Sequence, residues 1–153
     1  MEIERKFLIE KIPFSLEGIV YKDMAQSYIS FSPAIRIRKS DEAYILTVKG
    51  RGHMVREEFE LAIAEQDYVA LRKKTSGTEV RKRRYYIPLE NNLTAELDVY
   101  EGMLDGLYTV EVEFSSMEEA ERFSVPAWFG RDVTTQKRYK NTMLSLYGMP
   151  EKE

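Results

Sequence analysis

Hydrophobic and polar residues alternate along most of this chain with the period of two that is typical of half-buried β-strands. The alternation predicts eight strands, at residues 2–9, 26–31, 34–39, 43–49, 55–62, 80–88, 95–101 and 107–114. Short turn-forming runs such as Ser32-Pro33 and Gly50-Arg51-Gly52 separate them, and such runs join hairpins rather than parallel crossovers. Because eight strands are enough to close a small barrel, we expect a mainly β (α+β) fold with a closed, eight-stranded antiparallel barrel.

Three segments instead place apolar residues at helical spacing, over residues 64–75, 116–124 and 137–146. Ser116 and Glu119 form a capping-box pair at the start of the second helix, and Gly148 and Pro150 would end the third. The predicted inward residues are Tyr68, Leu71 and Thr75, then Met117, Ala120 and Phe123, and finally Tyr139, Met143 and Leu146. About three helices should therefore flank the barrel.

Charged residues also recur two apart on the predicted strands, and they are sorted by sign. The basic pairs are Arg36/Arg38 and Lys82/Arg84, and the acidic pairs are Glu2/Glu4, Glu58/Glu60, Glu96/Asp98 and Glu111/Glu113. One interpretation is that each pair lies on the solvated face of an amphipathic strand. Like charges two apart repel, however, and ordinary surfaces mix the signs. Facing inward around a barrel, the basic strands would bind an anion and the acidic strands its metal ion.

The acidic pairs Glu2/Glu4 and Glu111/Glu113 form a candidate metal site, which Asp98 and Glu96 could complete. Carboxylates two residues apart on a strand lie about 7 Å apart and can converge on one hard divalent cation. The alternative is that they are solvated or paired with the basic strands. Exposed pairs contribute about 0 to 1 kcal/mol, whereas clustered carboxylates inside a barrel would raise one another's pKa values until a cation neutralised them.

A candidate anion site comprises Lys6, Arg36, Arg38, Lys49, Lys82 and Arg84, with Arg138 or Lys137 further along the chain. Guanidinium groups bind phosphate oxygens bidentately, and lysine acts as a point charge. So many cations suit a polyanion such as a triphosphate better than a single carboxylate. The Tyr28 hydroxyl could donate a further hydrogen bond to phosphate, although a strand tyrosine is more often a core or rim residue.

Composition narrows the class of protein. The 153 residues are expected to form a single domain, 1–153, and 32% of them are charged, which fits a polar interior or a highly solvated exterior. A net charge of −3 argues against a general nucleic-acid partner. Without cysteine, and with His53 as its one histidine, the chain cannot form a thiolate or histidine-rich zinc site. No signal peptide or membrane span is evident, so the cytoplasm is the expected location.

The amino-terminal run Glu2-Ile3-Glu4-Arg5-Lys6 resembles the Glu-x-Glu-x-Lys signature of the CYTH domain, or triphosphate tunnel metalloenzyme, family. The rest of the chain is similar to that family in order, through Gln26-Ser27-Tyr28, Arg36-Ile37-Arg38, Thr47-Val48-Lys49, Arg56 to Glu60, Lys82 to Tyr85, Glu96-Leu97-Asp98, Val110 to Glu113, and Asp132-Val133-Thr134 with Tyr139 and Asn141. The resemblance spans residues 2 to about 141.

This resemblance implies a barrel open as a tunnel, in which a triphosphate is bound and cleaved with Mg²⁺ or Mn²⁺ as cofactor. It assigns the metal to Glu2, Glu4, Glu111 and Glu113, with Glu58 and Glu60 pairing with the bases or helping to hold a second ion. It assigns the anion path to Lys6, Arg36, Arg38, Lys49, Arg56, Lys82, Arg84 and Arg138. Lys82 resembles the lysine proposed to activate the attacking water, and neighbouring cations would lower its pKa toward that role.

Several activities share these residues in the family, and the fold does not choose among them. Short loops and the lack of an evident aromatic cage favour a small linear substrate, so the expected reaction is hydrolysis of inorganic tripolyphosphate. The alternatives are a class IV-type adenylyl cyclase making cyclic AMP from ATP, a thiamine triphosphatase, and a protein that binds triphosphate or polyphosphate without turnover. The sequence leaves the assembly state open, a homodimer being one option.

Overall fold

The chain folds around one strongly curved antiparallel sheet. In this computed structural model, which describes residues 1–151, the strands are β1 (Glu2–Leu8), β2 (Tyr21–Phe31), β3 (Ala34–Ser40), β4 (Ala43–Lys49), β5 (Val55–Arg56), β6 (Glu58–Ala62), β7 (Ser76–Pro88), β8 (Thr94–Tyr100) and β9 (Tyr108–Glu113). Their order across the sheet is β5-β1-β9-β8-β7-β2-β3-β4-β6. The mainly β, antiparallel class predicted from the alternation is confirmed.

The two edges of this sheet are consecutive in the chain, which brings the barrel close to closure. β5 pairs with β1 through Glu2↔Arg56 and Ile3↔Val55, whereas β6 pairs with β4. Glu57 alone separates β5 from β6, and its carbonyl oxygen accepts a hydrogen bond of 2.9 Å from the Gly50 amide.

The predicted count of eight strands and the full closure therefore need a small correction. The segment predicted as one strand over residues 55–62 is interrupted at Glu57, because the chain changes its pairing partner there from β1 to β4. The described residues form nine strands in a nearly closed barrel. Two strands also begin earlier than predicted, β2 at Tyr21 and β7 at Ser76.

Three α-helices flank the barrel in the described part of the chain: α1 (Glu65–Arg72), α2 (Met117–Arg122) and α3 (Asn141–Tyr147). Single 3₁₀ turns span Glu90–Asn92, Gly102–Leu104 and Lys137–Tyr139. At the start of α2 the Ser116 hydroxyl accepts a hydrogen bond from the Glu119 amide at 3.0 Å, as the capping-box pair predicts. The Glu119 carboxylate accepts in return from the Ser115 amide at 2.9 Å.

The third helix starts later than predicted. Residues 137–139 form a 3₁₀ turn, and Lys140 has an extended backbone (φ −70°, ψ 144°) that separates this turn from α3. Within α3 Leu144 is fully buried, whereas Leu146, expected inward, is 42% exposed. In α2 Ala120 is buried as expected, whereas Met117 is 39% exposed.

The main apolar core lies outside the barrel rather than inside it. Outward residues of β1, β8 and β9, among them Phe7, Leu97 and Val110, pack beneath α2 and the segment that follows it. The rings of Phe7 and Phe129, for example, have their centroids 5.0 Å apart. Because this outer layer provides the hydrophobic burial, the inner face of the same strands can carry charged residues. No helix within residues 1–151 has the length and apolarity needed to cross a membrane.

Candidate functional site

The inner face of the barrel encloses a cavity of about 950 Å³. Glu2, Glu4 and Lys6 face it from β1, while the alternate residue Phe7 is in the outer core and Arg5 pairs with Asp132. The sequence-predicted residues on its lining are Glu2, Glu4, Lys6, Tyr28, Arg36, Arg38, Lys49, Arg56, Glu58, Glu60, Arg84, Glu96, Glu111, Glu113 and Lys137. The structure thus brings most of both candidate sites into one space and disfavours the solvated-face interpretation.

One wall of the cavity is acidic and is built by β1 and β9. Their register places Glu4 directly opposite Glu113, and Lys6 opposite Glu111. Burial raises the pKa of Glu2, and it raises the pKa of Glu4 well above the ordinary value with help from Glu111. Like charges opposite one another on neighbouring strands are destabilising, so a further cation beside Glu4 and Glu113 would stabilise this wall.

Glu111 behaves differently from its neighbours on this wall. Burial alone would raise the pKa of Glu111, but Lys6, Arg84 and Lys82 outweigh burial and hold the pKa well below the ordinary value. The Lys6 and Arg84 nitrogens lie 3.9 and 3.8 Å from a Glu111 carboxylate oxygen. Glu111 is thus ionised beside a Glu4 carboxyl that favours its neutral form.

The acidic wall suits a hard divalent cation by the chemistry of its donors. Carboxylate oxygens are the ligands that Mg²⁺ and Mn²⁺ prefer, and a cation would relieve the repulsion that raises the pKa of Glu4. As the side chains stand, no three acidic or histidine side chains within residues 1–151 are grouped to hold an ion. Glu2 is instead paired with Lys49 at 3.1 Å and Arg56 at 3.6 Å, so metal binding would require these carboxylates to exchange partners.

The opposite wall is basic, and its arginines, unlike the carboxylates of the acidic wall, are not paired with any described side chain of opposite charge. β3 lies half-way round the sheet order from β1 and β9, and it presents Arg36 and Arg38 to the cavity. Within residues 1–151 neither guanidinium forms a salt bridge: Arg36 Nη2 donates to the Thr47 hydroxyl at 3.2 Å, and Arg38 donates to the Gln26 amide oxygen. The buried Arg36 Nε has no hydrogen-bond partner in the described part of the chain.

Burial, reinforced by the nearby charges of Arg36 and Arg84, lowers the pKa of Arg38 to about 9. A buried cation without a counter-ion is costly, and a bound anion would remove that cost. The wall is therefore arranged for an anion.

A buried ion-pair group lies where β7 and β8 are neighbours, and two of its members, Lys82 and Asp98, lie beneath the lining. Asp98 has no exposed surface and accepts hydrogen bonds from Lys82 Nζ at 2.7 Å and from Arg84 Nε at 2.7 Å. Burial would raise the pKa of Asp98, but Arg84 and Lys82 outweigh burial and lower it to about 2. Arg84 also donates to Glu96 at 3.2 Å. Asp98 thus serves as the anchor of two cations rather than as a lining carboxylate.

Three predicted site residues are not placed on the lining: Arg138, which is described below, and two members of this ion-pair group. Asp98, a candidate metal ligand, and Lys82, a candidate catalytic and anion-binding residue, both lie below it. Burial, with Arg84 and Arg38, lowers the pKa of Lys82 well below the ordinary value, although Asp98 opposes the shift. The cross-strand register explains the position, since Arg84 lies opposite Asp98.

The segment before α3 covers one side of the cavity with further cations. Lys137 and Lys140 line it, and Lys140 Nζ donates to the Gly52 carbonyl at 2.8 Å, across the cavity mouth. Lys6 Nζ donates to the Tyr139 carbonyl at 2.7 Å. Burial, followed by Arg56, lowers the pKa of Lys140 to about 8.

Arg138, which was expected on the anion path, is directed elsewhere. Its guanidinium donates to three backbone carbonyls at and beyond the end of α3, those of Tyr147, Gly148 and Met149, at 3.1 to 3.3 Å, and to the Met143 carbonyl within the helix at 3.4 Å. The helix C-terminus, where carbonyls lack intrahelical partners, therefore binds this side chain. The alternative prediction, Lys137, is the one placed on the lining.

Sequence reasoning missed Lys140, Gln26 and Thr47 as parts of this site. Sequence analysis named Gln26 and Thr47 only within the family-like runs Gln26-Ser27-Tyr28 and Thr47-Val48-Lys49, and it assigned neither residue a role. Lys140 was missed because it falls inside the helix predicted over residues 137–146, whereas its backbone is in fact extended.

Comparison with known proteins now identifies the family. Residues 1–142 match the CYTH domain. The chain belongs to the CYTH domain family. An inorganic triphosphatase of Nitrosomonas europaea is 39% identical over 149 residues, covering 95% of this chain and 97% of that protein. An inorganic triphosphatase of Acetivibrio thermocellus is 31% identical over 150 residues, covering 94% and 92%.

A solved structure agrees with the fold of this CYTH domain. The crystal structure of an inorganic triphosphatase, 36% identical in sequence, superposes with a TM-score of 0.70 and covers 95% of each chain. The family resemblance expected from Glu2-Ile3-Glu4-Arg5-Lys6 and the later motifs is confirmed. It extends over the strands that form both cavity walls, from β1 to β9.

Proposed function

We propose that this CYTH domain is a metal-dependent hydrolase that cleaves a phosphoanhydride bond of a triphosphate bound in the cavity. The observation that carries the proposal is the pair of buried guanidiniums, Arg36 and Arg38, that lack carboxylate partners and face a wall of clustered carboxylates. A polyanion with its divalent cation would supply the charge that each wall lacks.

Inorganic tripolyphosphate is the substrate we favour. The relatives at 39% and 31% identity are inorganic triphosphatases, and the cavity is lined mainly by charged side chains that match phosphate oxygens rather than a base or a heterocycle. In this proposal Lys6, Arg36, Arg38, Lys49, Arg56 and Arg84 bind the phosphates, and Tyr28 donates a hydrogen bond at the cavity wall.

Mg²⁺ or Mn²⁺ would be held by Glu2, Glu4, Glu111 and Glu113, with Glu58 and Glu60 available on the neighbouring rim. Such an ion polarises the phosphoryl oxygens and stabilises the leaving group. The protein contributes position: Arg36 and Arg38 fix the phosphates from one side while the carboxylates face them from the other. That positioning, with charge stabilisation, is most of what phosphoryl transfer requires.

A general base must also accept the proton of the attacking water. We keep Lys82 as the proposed base because burial, with Arg84 and Arg38, lowers its pKa from the ordinary value, and this brings the amine closer to the role of a proton acceptor. Since Lys82 Nζ is bonded to Asp98 below the lining, the amine would have to exchange Asp98 for the water during the reaction.

The deciding experiment measures phosphate release from tripolyphosphate, with ATP and thiamine triphosphate in parallel, in Mg²⁺, in Mn²⁺ and in EDTA. We expect rapid, metal-dependent release from tripolyphosphate. Cyclic AMP and pyrophosphate from ATP would instead identify a cyclase. No turnover of any substrate, with tripolyphosphate still raising the melting temperature, would identify a binding protein.

Two variants distinguish the role of the acidic wall from the role of the basic wall. Glu4→Gln should abolish metal-dependent turnover while largely sparing anion binding, because the amide cannot act as an anionic ligand. Arg38→Ala should weaken binding itself. If neither substitution changed metal-dependent hydrolysis, the assignment of the cavity as the active site would be wrong.

We further place this activity in the cytoplasm, where phosphoanhydrides and Mg²⁺ are both available, with a small molecule rather than nucleic acid as the partner. The net charge of −3 and the enclosure of the cations inside a barrel support a small anionic ligand, since a general nucleic-acid binder presents its basic residues on an open face.

A further inference from the structure

Gln26 on β2 contacts two cavity-facing side chains although it does not line the cavity. The side chain has no exposed surface. Its amide oxygen accepts hydrogen bonds from Arg38 Nε at 2.9 Å and from Arg38 Nη2 at 2.7 Å. Its amide nitrogen donates to the Tyr28 hydroxyl at 3.4 Å.

This contact differs in charge from the contacts of Arg84, another buried arginine of the cavity. Arg84 is held by the carboxylates of Asp98 and Glu96, so its charge is largely compensated. Arg38 is held in a similar two-nitrogen geometry by a neutral amide oxygen. Hydrogen bonding alone cannot explain that choice, because a carboxylate would bind a guanidinium more strongly than an amide does.

The second arginine of β3 is likewise held by a neutral acceptor. Arg36 Nη2 donates to the hydroxyl of Thr47 at 3.2 Å, and Thr47 is fully buried and neutral. Both β3 arginines are thus oriented by uncharged acceptors on neighbouring strands. Among described residues, Arg38 Nη1 forms no hydrogen bond, so one terminal nitrogen remains for a ligand.

We propose that Gln26 is a positioning residue that fixes the Arg38 guanidinium through a neutral acceptor, so that Arg38 keeps its positive charge for a phosphate group of the substrate. The inference rests on the proposed function, because it takes the ligand to be a polyphosphate. A carboxylate at this position would orient Arg38 equally well, but its negative charge would compensate the positive charge of the guanidinium.

The test is Gln26→Glu, compared with Gln66→Glu as the matched control. Gln66 lies on the exposed surface of α1, so the control makes the same chemical change and the same change in net charge outside the cavity. Tripolyphosphate affinity is measured by calorimetry in EDTA, and KM and kcat are measured in Mg²⁺. Melting temperatures are recorded without ligand.

For Gln26→Glu we expect a Kd and a KM about ten- to hundredfold higher than in the control, the size of effect expected from losing one charge-assisted hydrogen bond. The change in kcat should be smaller. The melting temperature of the ligand-free protein should stay the same or rise, because the new carboxylate pairs with a buried cation. Loss of affinity without loss of stability is a result that a purely structural role of Gln26 would not produce.

A Kd and KM within twofold of the control would overturn the inference while leaving the proposed function intact. Wild-type protein that neither binds nor hydrolyses tripolyphosphate would overturn both. If Gln26→Glu does not fold, Gln26→Met carries the test: it keeps the charge of Arg38 but removes its acceptor. Weaker binding in that variant supports the positioning role, and unchanged binding refutes it.

Discussion

Asp98 shows how a single buried residue sets the charge of its surroundings. It has no exposed surface and accepts hydrogen bonds from Lys82 and from two nitrogens of Arg84. Two buried cations share this carboxylate, so its removal would leave both of them short of negative charge. The same interaction keeps the pKa of Asp98 at about 2, below the ordinary value of 3.8.

We therefore expect Asp98→Asn to lower the free energy of unfolding by about 3 kcal/mol, the usual cost of breaking a buried ion pair. The matched control is Asp23→Asn, which removes the partner of a different β7 arginine, Arg83, on the exposed surface. Urea unfolding at neutral pH should show a large loss for Asp98→Asn and little change for the control. Equal losses in the two variants would contradict the assignment of Asp98 as the anchor.

The dependence on pH follows from the sign of the shift. A carboxylate whose pKa is lowered by folding stabilises the fold at pH values above its unfolded pKa, and this stabilisation is lost as the pH falls from about 4 toward 2. The stability of the wild-type protein should fall over that window more steeply than that of Asp98→Asn.

The sequence predicted much at this scale, because period-two alternation determines which side of a strand a residue faces. It correctly grouped Glu2, Glu4, Arg36 and Arg38 on the inner face. It could not show that Asp98 lies below the lining, since that position depends on the register of β8 against β7. Alternation shows which face of a strand a residue lies on, but not which residue of the neighbouring strand lies opposite it.

At the scale of elements, α3 and the turn before it divide two adjacent cations between different tasks. Lys137 lines the cavity, whereas Arg138 donates to three carbonyls at the end of the helix. The extended backbone at Lys140 separates the turn from the helix. The predicted continuous helix over residues 137–146 missed that break because Lys140 has ordinary helix propensity, and tertiary contacts overrode it.

This division gives opposite expectations for two neighbouring substitutions. Arg138→Gln should lower the stability by about 1 kcal/mol or more, because carbonyls at a helix end lose their donor, and should leave KM for tripolyphosphate unchanged. Lys137→Gln should raise KM several-fold and change the stability by less than about 0.5 kcal/mol. Thermal unfolding and steady-state kinetics of both variants check this; a raised KM in Arg138→Gln alone would place Arg138 on the anion path after all.

At the scale of the whole molecule, the barrel keeps opposite charges on opposite walls and covers its outside with apolar residues. The sequence predicted a barrel with a polar interior, but not the split of residues 55–62 into β5 and β6, because the alternation continues through Glu57. Only closure of the sheet requires the chain to change partners there.

The accumulation of cations at the mouth predicts a pH limit for substrate binding. The pKa of Lys140 is lowered to about 8, first by burial and then by Arg56, so the side chain loses its charge above that pH in the ligand-free protein. A bound polyanion favours the charged form, and binding above pH 8 must therefore take up a proton. KM for tripolyphosphate should rise as the pH increases from 8 to about 10.

The matched variant for this limit is Lys140→Arg, which stays protonated over the whole range. Its KM should rise less than that of the wild-type protein between pH 8 and 10. Because both proteins meet the same substrate, the ionisation of tripolyphosphate itself cancels in the comparison. Parallel pH profiles for the two proteins would rule out Lys140 as the group responsible.

The junction between β5 and β1 has a mechanical consequence. Only two residue pairs join these strands, and one of them is Glu2 with Arg56, whereas β1 and β9, β4 and β6, and β8 and β9 are each joined by five. The junction between β5 and β1 is therefore weaker than these other strand pairings, and local opening of the barrel should begin there. Both residues of that pair also face the cavity. A metal-bound polyphosphate that contacts both Glu2 and Arg56 would therefore hold β1 and β5 together. The contacts that bind the substrate would then also keep the barrel closed.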